Sequence, residues 1–330
     1  MNYFPNLEDS STKTKGITNM LNGIKSKALL IGTMAVSILI SGCGVKKDSD
    51  DRAMLFIGKT ITEVNSDGQE TLLDTHSGTY WQYDSGNDLL IASKYSTDVS
   101  IYNPETGVKT DIGFPMIDGR AGEFDYEGQR MHGINTWYED GYVSIYANNL
   151  ADHTFVVFTF DCSTEELADT ASYDLQSPTF VRDTGNTFVY VNSQRELNIY
   201  DKTTGENETV AGDVGRLGAG FDLIVLNGDR SKVLFVKTED DAPVLYEYDI
   251  PSGETREVYR CSKGDYITGF TYALDSNKIY LRYGKKFNSI AGYACLPNHT
   301  MVITTDGRTY ELHSSLIDGY DINGTGIVVY

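Results

Sequence analysis

The chain has 330 residues, of which 40% are hydrophobic and 22% charged, enough for one large or two small globular domains. Tyr (23) and Gly (32) are frequent and Pro (7) is scarce, which favours strands and tight turns. The net charge of −20 argues against nucleic acid as a partner and against adhesion to anionic lipid by charge alone.

In chain order, the first element is an apolar run from Ala28 to Ile40 (ALLIGTMAVSILI), preceded by Lys25 and Lys27. It has the length of a signal-peptide core and is short for a membrane span. The small residues Ser41 and Gly42 follow, then Cys43. Ile40, Ser41, Gly42 and Cys43 resemble the lipobox of bacterial lipoproteins, with Ile where Leu is commoner. The resemblance implies cleavage before Cys43 and diacylglycerol on its sulfur. Two acyl chains give stable anchoring where one does not. The expected organisation is a signal peptide over 1–42, a lipidated tether over 43–52 and a folded domain over 53–330. Met20 already opens a complete signal, so residues 1–19 read as superfluous. Cleavage removes four lysines and two acids, which leaves 23 basic and 45 acidic residues.

Beyond the tether, two hairpin families alternate. VSIYNPETGVKTDI (from Val99), LNIYDKTTGENETV (from Leu197) and LYEYDIPSGETREV (from Leu245) share a pattern. Each is an alternating strand, an aromatic followed by Asp or Asn, a turn closed by Gly, and a second strand. Weaker copies start at Ile61, Val157 and Met301. The mean step of about 48 residues is that of a β-propeller blade. The second family starts at Trp81, Trp137, Phe180, Ile224, Tyr272 and Tyr320. Pairing the families gives an all-β expectation: six four-stranded antiparallel blades, with the last strand of the chain completing the first blade and removing two sheet edges. A β-sandwich or a solenoid of the same hairpins is the competing architecture. Trp137 to Gly141 (WYEDG) resembles the W-S-P-D-G turn of TolB-like and WD40-like propellers, which implies the same fold.

In such a propeller both tight hairpin families share one face. The longer connections, and with them the expected channel mouth, lie on the other. The longest are 113–133 and 284–298. From them Arg120, Phe124, Tyr126, Arg130, His132, Lys285, Lys286 and Phe287 are candidate contacts for a glycan or peptide. The alternative is that these loops only pack over blade ends. Trp81 and Trp137 read more readily as packing between blades than as a ligand platform.

Catalytic signatures are absent from the sequence. There is no G-x-S-x-G, the five histidines are scattered, no CxxC pair occurs, and nothing selects two of the many carboxylates. No cofactor or metal is implied. Cys162, Cys261 and Cys295 follow the lipobox, so at most one disulfide can form among them, and Cys261 and Cys295 either pair or stay reduced. The sequence thus points to a monomeric, lipid-anchored extracytoplasmic binding protein for an envelope protein, peptide or glycan. A carbohydrate-active hydrolase or lyase on the same fold is the rival. Metabolic labelling with a radioactive fatty acid is expected to mark the native chain and to lose that mark in Cys43→Ala; label retained in the variant would rule out this anchor.

Overall fold

A computed structural model describes residues 52–57, 60–65, 69–75, 82–84, 87, 89–94, 96–103, 106–215, 224–273, 278–289, 292–312 and 326–329. Cys43 and the segment before it lie outside the described residues, as does Trp81. Among the described residues no helix is long and apolar enough to cross a membrane.

The described chain is built of antiparallel sheets. β1 (Arg52–Ile57), β2 (Thr60–Asn65) and β3 (Glu70–Thr75) form a meander. The next sheet is β4 (Gln82–Asp84), β5 (Leu89–Lys94), β6 (Asp98–Tyr102) and β7 (Lys109–Gly113). It is followed by β8 (Glu123–Tyr126), β9 (Gln129–Glu139), β10 (Tyr142–Asn149), β11 (Phe155–Asp161) and β12 (Glu166–Tyr173). The fourth comprises β13 (Pro178–Asp183), β14 (Thr187–Asn192), β15 (Leu197–Asp201) and β16 (Asn207–Ala211). The fifth comprises β17 (Ile224–Leu226), β18 (Lys232–Glu239), β19 (Ala242–Asp249) and β20 (Glu254–Arg260). Then come β21 (Asp265–Tyr272), β22 (Lys278–Ser289), β23 (Gly292–Thr304) and β24 (Thr309–Leu312). A last strand, β25 (Gly326–Val329), pairs antiparallel with β1, Ala53 opposite Val329 and Phe56 opposite Gly326.

The first strands β9, β13, β17 and β21 neighbour one another in that order, so the sheets stand as the blades of a propeller. Interior strands bury both faces, and successive residues serve opposite neighbours. On β14, Phe188 and Tyr190 join the core shared with Tyr146 and Phe155 of blade β8–β12. Val189 and Val191 join the core shared with Ile224 and Phe235 of blade β17–β20. Outer strands are the reverse: β12 and β20 are mostly exposed and polar.

The outer hairpins repeat because their turns repeat. Asp201 Oδ1 accepts from the backbone N–H groups of Thr203 (2.7 Å) and Thr204 (2.8 Å), while its carbonyl accepts from Gly205 N–H (2.9 Å). Asn103 with Gly107 and Asp249 with Gly253 do the same. The closing residue sits at φ of 69–73° in all three, where glycine carries no Cβ clash.

Two expected loops are strands. The 113–133 connection folds into β8 and the start of β9, which gives this blade five strands where four are expected. The 284–298 insertion lengthens β22 and β23 into a hairpin paired out to Ser289 and Gly292. The β9 segment approaches the neighbouring blade closely, and a Cβ on Gly133 would overlap the Ser96 carbonyl oxygen. Backbone on both sides leaves little room to yield. Gly133→Ala is therefore expected to cost about 1–3 kcal/mol in denaturant unfolding, while Gly212→Ala, with open space around it, stays near neutral.

Candidate functional site

The candidate contacts fall on separate hairpins. Arg120, Phe124, Tyr126, Arg130 and His132 lie on or beside the β8–β9 hairpin, and Lys285, Lys286 and Phe287 on the β22–β23 hairpin. Phe124 is 0% exposed. It stacks on Phe114 at 4.4 Å and meets Phe158 edge-on at 5.6 Å, so it is core and touches no partner. Tyr126 leans on Phe158 at 4.8 Å. Arg130 pairs with Glu123 at 2.5 Å, and Arg120 stands 3.9 Å from the same carboxylate. His132 is exposed. Lys285 is ion-paired with Asp265. For Lys286 and Phe287 only the backbone is described, opposite Cys295 and Ala294.

A cleft lies elsewhere, among the ends of the innermost strands where they turn into tight hairpins. This is the face opposite to the one expected. The cleft has a volume of about 300 Å³ and is lined by Trp137 and Glu139 of β9, Arg182 and Asp183 of β13, Val225 and Leu226 of β17, Asn227, Gly228 and Arg230 of the following turn, Thr271 and Tyr272 of β21, and Ala273. The propeller brings these residues together because each blade ends its first strand at the same height.

Strand β13 is held against β9 by an amide clamp. Asn135 donates from Nδ2 to the Val181 carbonyl (3.1 Å) and accepts from Val181 N–H at Oδ1 (2.9 Å). The next residue, Arg182, is only 3% exposed. Its guanidinium carbon lies 4.1 Å from the Trp137 ring centre and 4.3 Å from that of Phe180, and Nη1 donates to Val181 O at 3.2 Å. Desolvated cation–π contacts of this kind contribute about 2 kcal/mol or more. Both carboxylates of the cleft are paired. Glu139 meets Arg230. Asp183 accepts from Lys202 Nζ at 2.6 Å and from Gly185 N–H at 2.7 Å. The amide of Asn227 is engaged in its own turn, with Nδ2 on Asp229 (2.7 Å) and Oδ1 accepting from Lys232 N–H (2.8 Å).

A second cavity of about 220 Å³ adjoins the cleft between blades β17–β20 and β21–β24, sharing Asn227 and Tyr272 with it. Its centre is Glu247, 4% exposed. Oε1 accepts from Arg256 Nε at 2.7 Å and stands 3.4 Å from Lys232 Nζ, and Oε2 accepts from Tyr272 O–H at 3.0 Å. Burial pushes the Glu247 carboxyl up, but Arg256, Tyr272 and Lys232 together outweigh it and hold the group below its ordinary value. Burial, then the Glu247 charge, raise the Tyr272 phenol, so it stays a donor.

The two thiols among the described side chains are poor nucleophiles. Cys261 is buried and free, so it is not bridged to Cys295, and burial raises it to about 12. Cys162, half-buried and free, is raised to about 11. Among the described residues no group of three or more His, Cys, Asp or Glu side chains could hold a metal ion.

Sequence reasoning passed over Arg182, Glu139, Arg230, Tyr272 and Glu247. One signal was present. Trp81, Trp137, Phe180 and Tyr272 each stand three residues before an Asp at an inner turn, and three of these four are now seen at or beside the cleft. Trp137, expected to pack between blades, does pack against the core shared by blades β8–β12 and β13–β16, and its half-exposed side also walls the cleft.

Glu247 also sets a pH dependence. Its pKa is lowered on folding, so its contribution to stability is full above the ordinary carboxyl value of 4.5 and falls away on acidification below it. Glu247→Gln is expected to cost roughly 2–3 kcal/mol near neutral pH. Thermal melts followed into the acid range should show the gap to the native chain narrowing below that value.

No family model matches the sequence, and no curated protein does. Among solved structures the chain is similar to a putative TolB from Agrobacterium tumefaciens, with a TM-score of 0.50 and 7% identity over 86% of this chain and 99% of that one. It is also similar to a putative 6-phosphogluconolactonase from Bacteroides uniformis ATCC 8492 (TM-score 0.49, 13% identity, 84% and 100% covered). TolB from Acinetobacter baumannii gives 0.48 and 12% over 85% and 67%. At such identities the likeness concerns the fold alone, and that fold is a TolB-like β-propeller of antiparallel blades.

Proposed function

We propose that this chain is a lipid-anchored extracytoplasmic protein, held to a bacterial membrane through Cys43, whose propeller binds an envelope protein, peptide or glycan in the central cleft. Its blades would number six, with the last strand of the chain completing the first blade and so the ring. The lipobox and the hydrophilic tether support the anchor. The observation that carries the binding role is the wall of the cleft, where Trp137 backs the buried Arg182 guanidinium. An aromatic and a fixed charge in one concave, partly apolar site are the elements of recognition.

The rival reading as a hydrolase or lyase is less well supported. It calls for two carboxylates directed at one substrate, one to donate and one to accept a proton. Glu139 and Asp183 both line the cleft, yet each is tied to a cation of its own.

Affinity capture with residues 52–330 as bait tests the reading, against envelope protein extracts and cell-wall glycans in parallel. The native bait should retain a saturable partner. The double variant Glu139→Ala/Arg230→Ala, which removes both members of a half-exposed pair, should retain at least tenfold less. His132→Ala, on the opposite face, should retain as much as the native bait. Capture lost with His132→Ala and kept by the double variant would move the site to the other face. Glycan consumed with new chain ends, and not merely retained, would favour the enzyme.

A further inference from the structure

The charges and the surfaces of the cleft together restrict its ligand. Among the described residues it is lined by two cations, Arg182 and Arg230, and two carboxylates, Glu139 and Asp183. Arg182 is 3% exposed, lies against two rings and donates to the Val181 carbonyl, so it belongs to the wall. Asp183 is held by Lys202. The four charges balance, so the cleft offers no net charge to offset the lost hydration of an ionic ligand. An extended peptide meets a different obstacle. Peptides commonly add to a sheet through a free backbone edge. β13 is an edge strand of its blade, but at Val181 both the N–H and the carbonyl are taken by the Asn135 amide. What the cleft does offer is two unlike kinds of surface. Val225, Leu226 and Ala273 are apolar, and Trp137 is aromatic. Glu139 and Arg230 are polar and stand at the water's edge, 38% and 32% exposed. They meet through Glu139 Oε1 and Arg230 Nη2. Among the described residues, Glu139 Oε2 and the other guanidinium N–H groups have no partner, so an acceptor and several donors stand side by side.

We infer, resting on the cleft being the binding site, that its ligand is a neutral glycan, one sugar ring of which lies on Trp137 and the apolar surface with adjacent hydroxyls on Glu139 and Arg230. A sugar ring is a neutral group with both kinds of surface. Its faces present C–H bonds to apolar and aromatic side chains, and its edge carries hydroxyls that each donate and accept. Adjacent hydroxyls can give to the carboxylate and take from the guanidinium at once, so the ion pair is kept. A volume of about 300 Å³ is at the small end of ligand sites and suits a short stretch of glycan. The net charge of −20 adds a signature. An anion, repelled by that charge, would bind better as salt is added, and a cation worse. The affinity of an uncharged glycan should hardly change.

Calorimetric titration of the full chain, solubilised in a mild detergent, tests this. The probes are cellotriose, maltotriose, mannotriose and triacetylchitotriose, with acetyl-tetraalanine amide as a neutral peptide. At least one trisaccharide should bind saturably below about 10 mM, and the peptide should not. The affinity should stay within about twofold from low to high salt. Glu139→Ala/Arg230→Ala should weaken it at least about tenfold. The chain has two tryptophans, Trp81 and Trp137, so Trp81→Phe leaves the emission of Trp137 alone, and the bound trisaccharide should change that emission. If Trp81→Phe does not fold, the salt series and the calorimetry on the native chain need no variant. No binding by any trisaccharide, binding of the peptide in their place, a steep salt dependence, or a trisaccharide held equally well by the double variant would overturn the inference. If the trisaccharides fail while partner capture still depends on the Glu139–Arg230 pair, the cleft remains the binding site and only the glycan assignment falls. If that dependence is lost as well, both fall.

Discussion

An interior strand of this fold has to bury two faces at once. A four-stranded sheet standing alone would leave one of them wet, and the alternation of side chains along a strand turns that demand into an architecture. Leu234 and Val236 of β18 pack with Ile267 and Leu281 of the following blade, while Val233 and Phe235, which alternate with them, pack with the preceding one. On β11, Phe158 and Phe160 face the blade β4–β7, and Phe155 and Val157 face β13–β16. Blades β8–β12, β13–β16 and β17–β20 are thus each stabilised by both neighbours, as in other repeat architectures, and the strands on the outside are released from hydrophobic duty. That is why β12 and β20 are polar and why the acids of the chain can collect there.

The cleft is a consequence of the same arrangement. Sheets packed face to face around an axis bring their first strands together, and those strands diverge where they turn outward. The space left between their ends is bounded by whatever the last residues happen to be. In this chain they are Trp137, Arg182, Asp183 and Tyr272. A buried guanidinium would be costly in an ordinary core. Here it donates to the Val181 carbonyl, lies against two rings and follows a backbone fixed by the amide of Asn135. Tyr272 is fixed likewise, from behind, by the carboxylate of Glu247. The walls of the cleft are therefore set by contacts between blades, so a mutation at a blade interface would reach the cleft without touching it.

This explains what could be read from the sequence and what could not. The outer hairpins were legible because the Asx turn is local: Asp201, Thr203, Thr204 and Gly205 make it among themselves, and Asn103 and Asp249 repeat it. Strand β8 was not legible. Its four residues are too few to show alternation, and the glycines at 119, 122 and 128 suggested a loop. Arg182 was illegible for another reason. In FVRDTG it is one more charge near a turn, and its ring partner Trp137 stands 45 positions earlier on another blade. The cluster of Glu247, Arg256 and Tyr272 likewise draws on two blades. Local spacing encodes hairpins, whereas the site is encoded by which blades become neighbours, and that follows only once the repeat has been folded.

The net charge of the protein and the charge balance of its cleft differ, and the difference bears on selectivity. The outward strands carry Glu166, Asp169, Glu208 and Glu254 among exposed positions, and the chain as a whole is strongly negative. The cleft is different: the cations Arg182 and Arg230 line it together with the carboxylates Glu139 and Asp183, each of which is paired with a cation. The net field repels an anion and attracts a cation at long range, whereas inside the cleft both signs are present at close quarters and partly desolvated. Long-range attraction and short-range fit are therefore set by different residues, and a ligand is selected in the cleft by how it meets those fixed charges rather than by its own net charge.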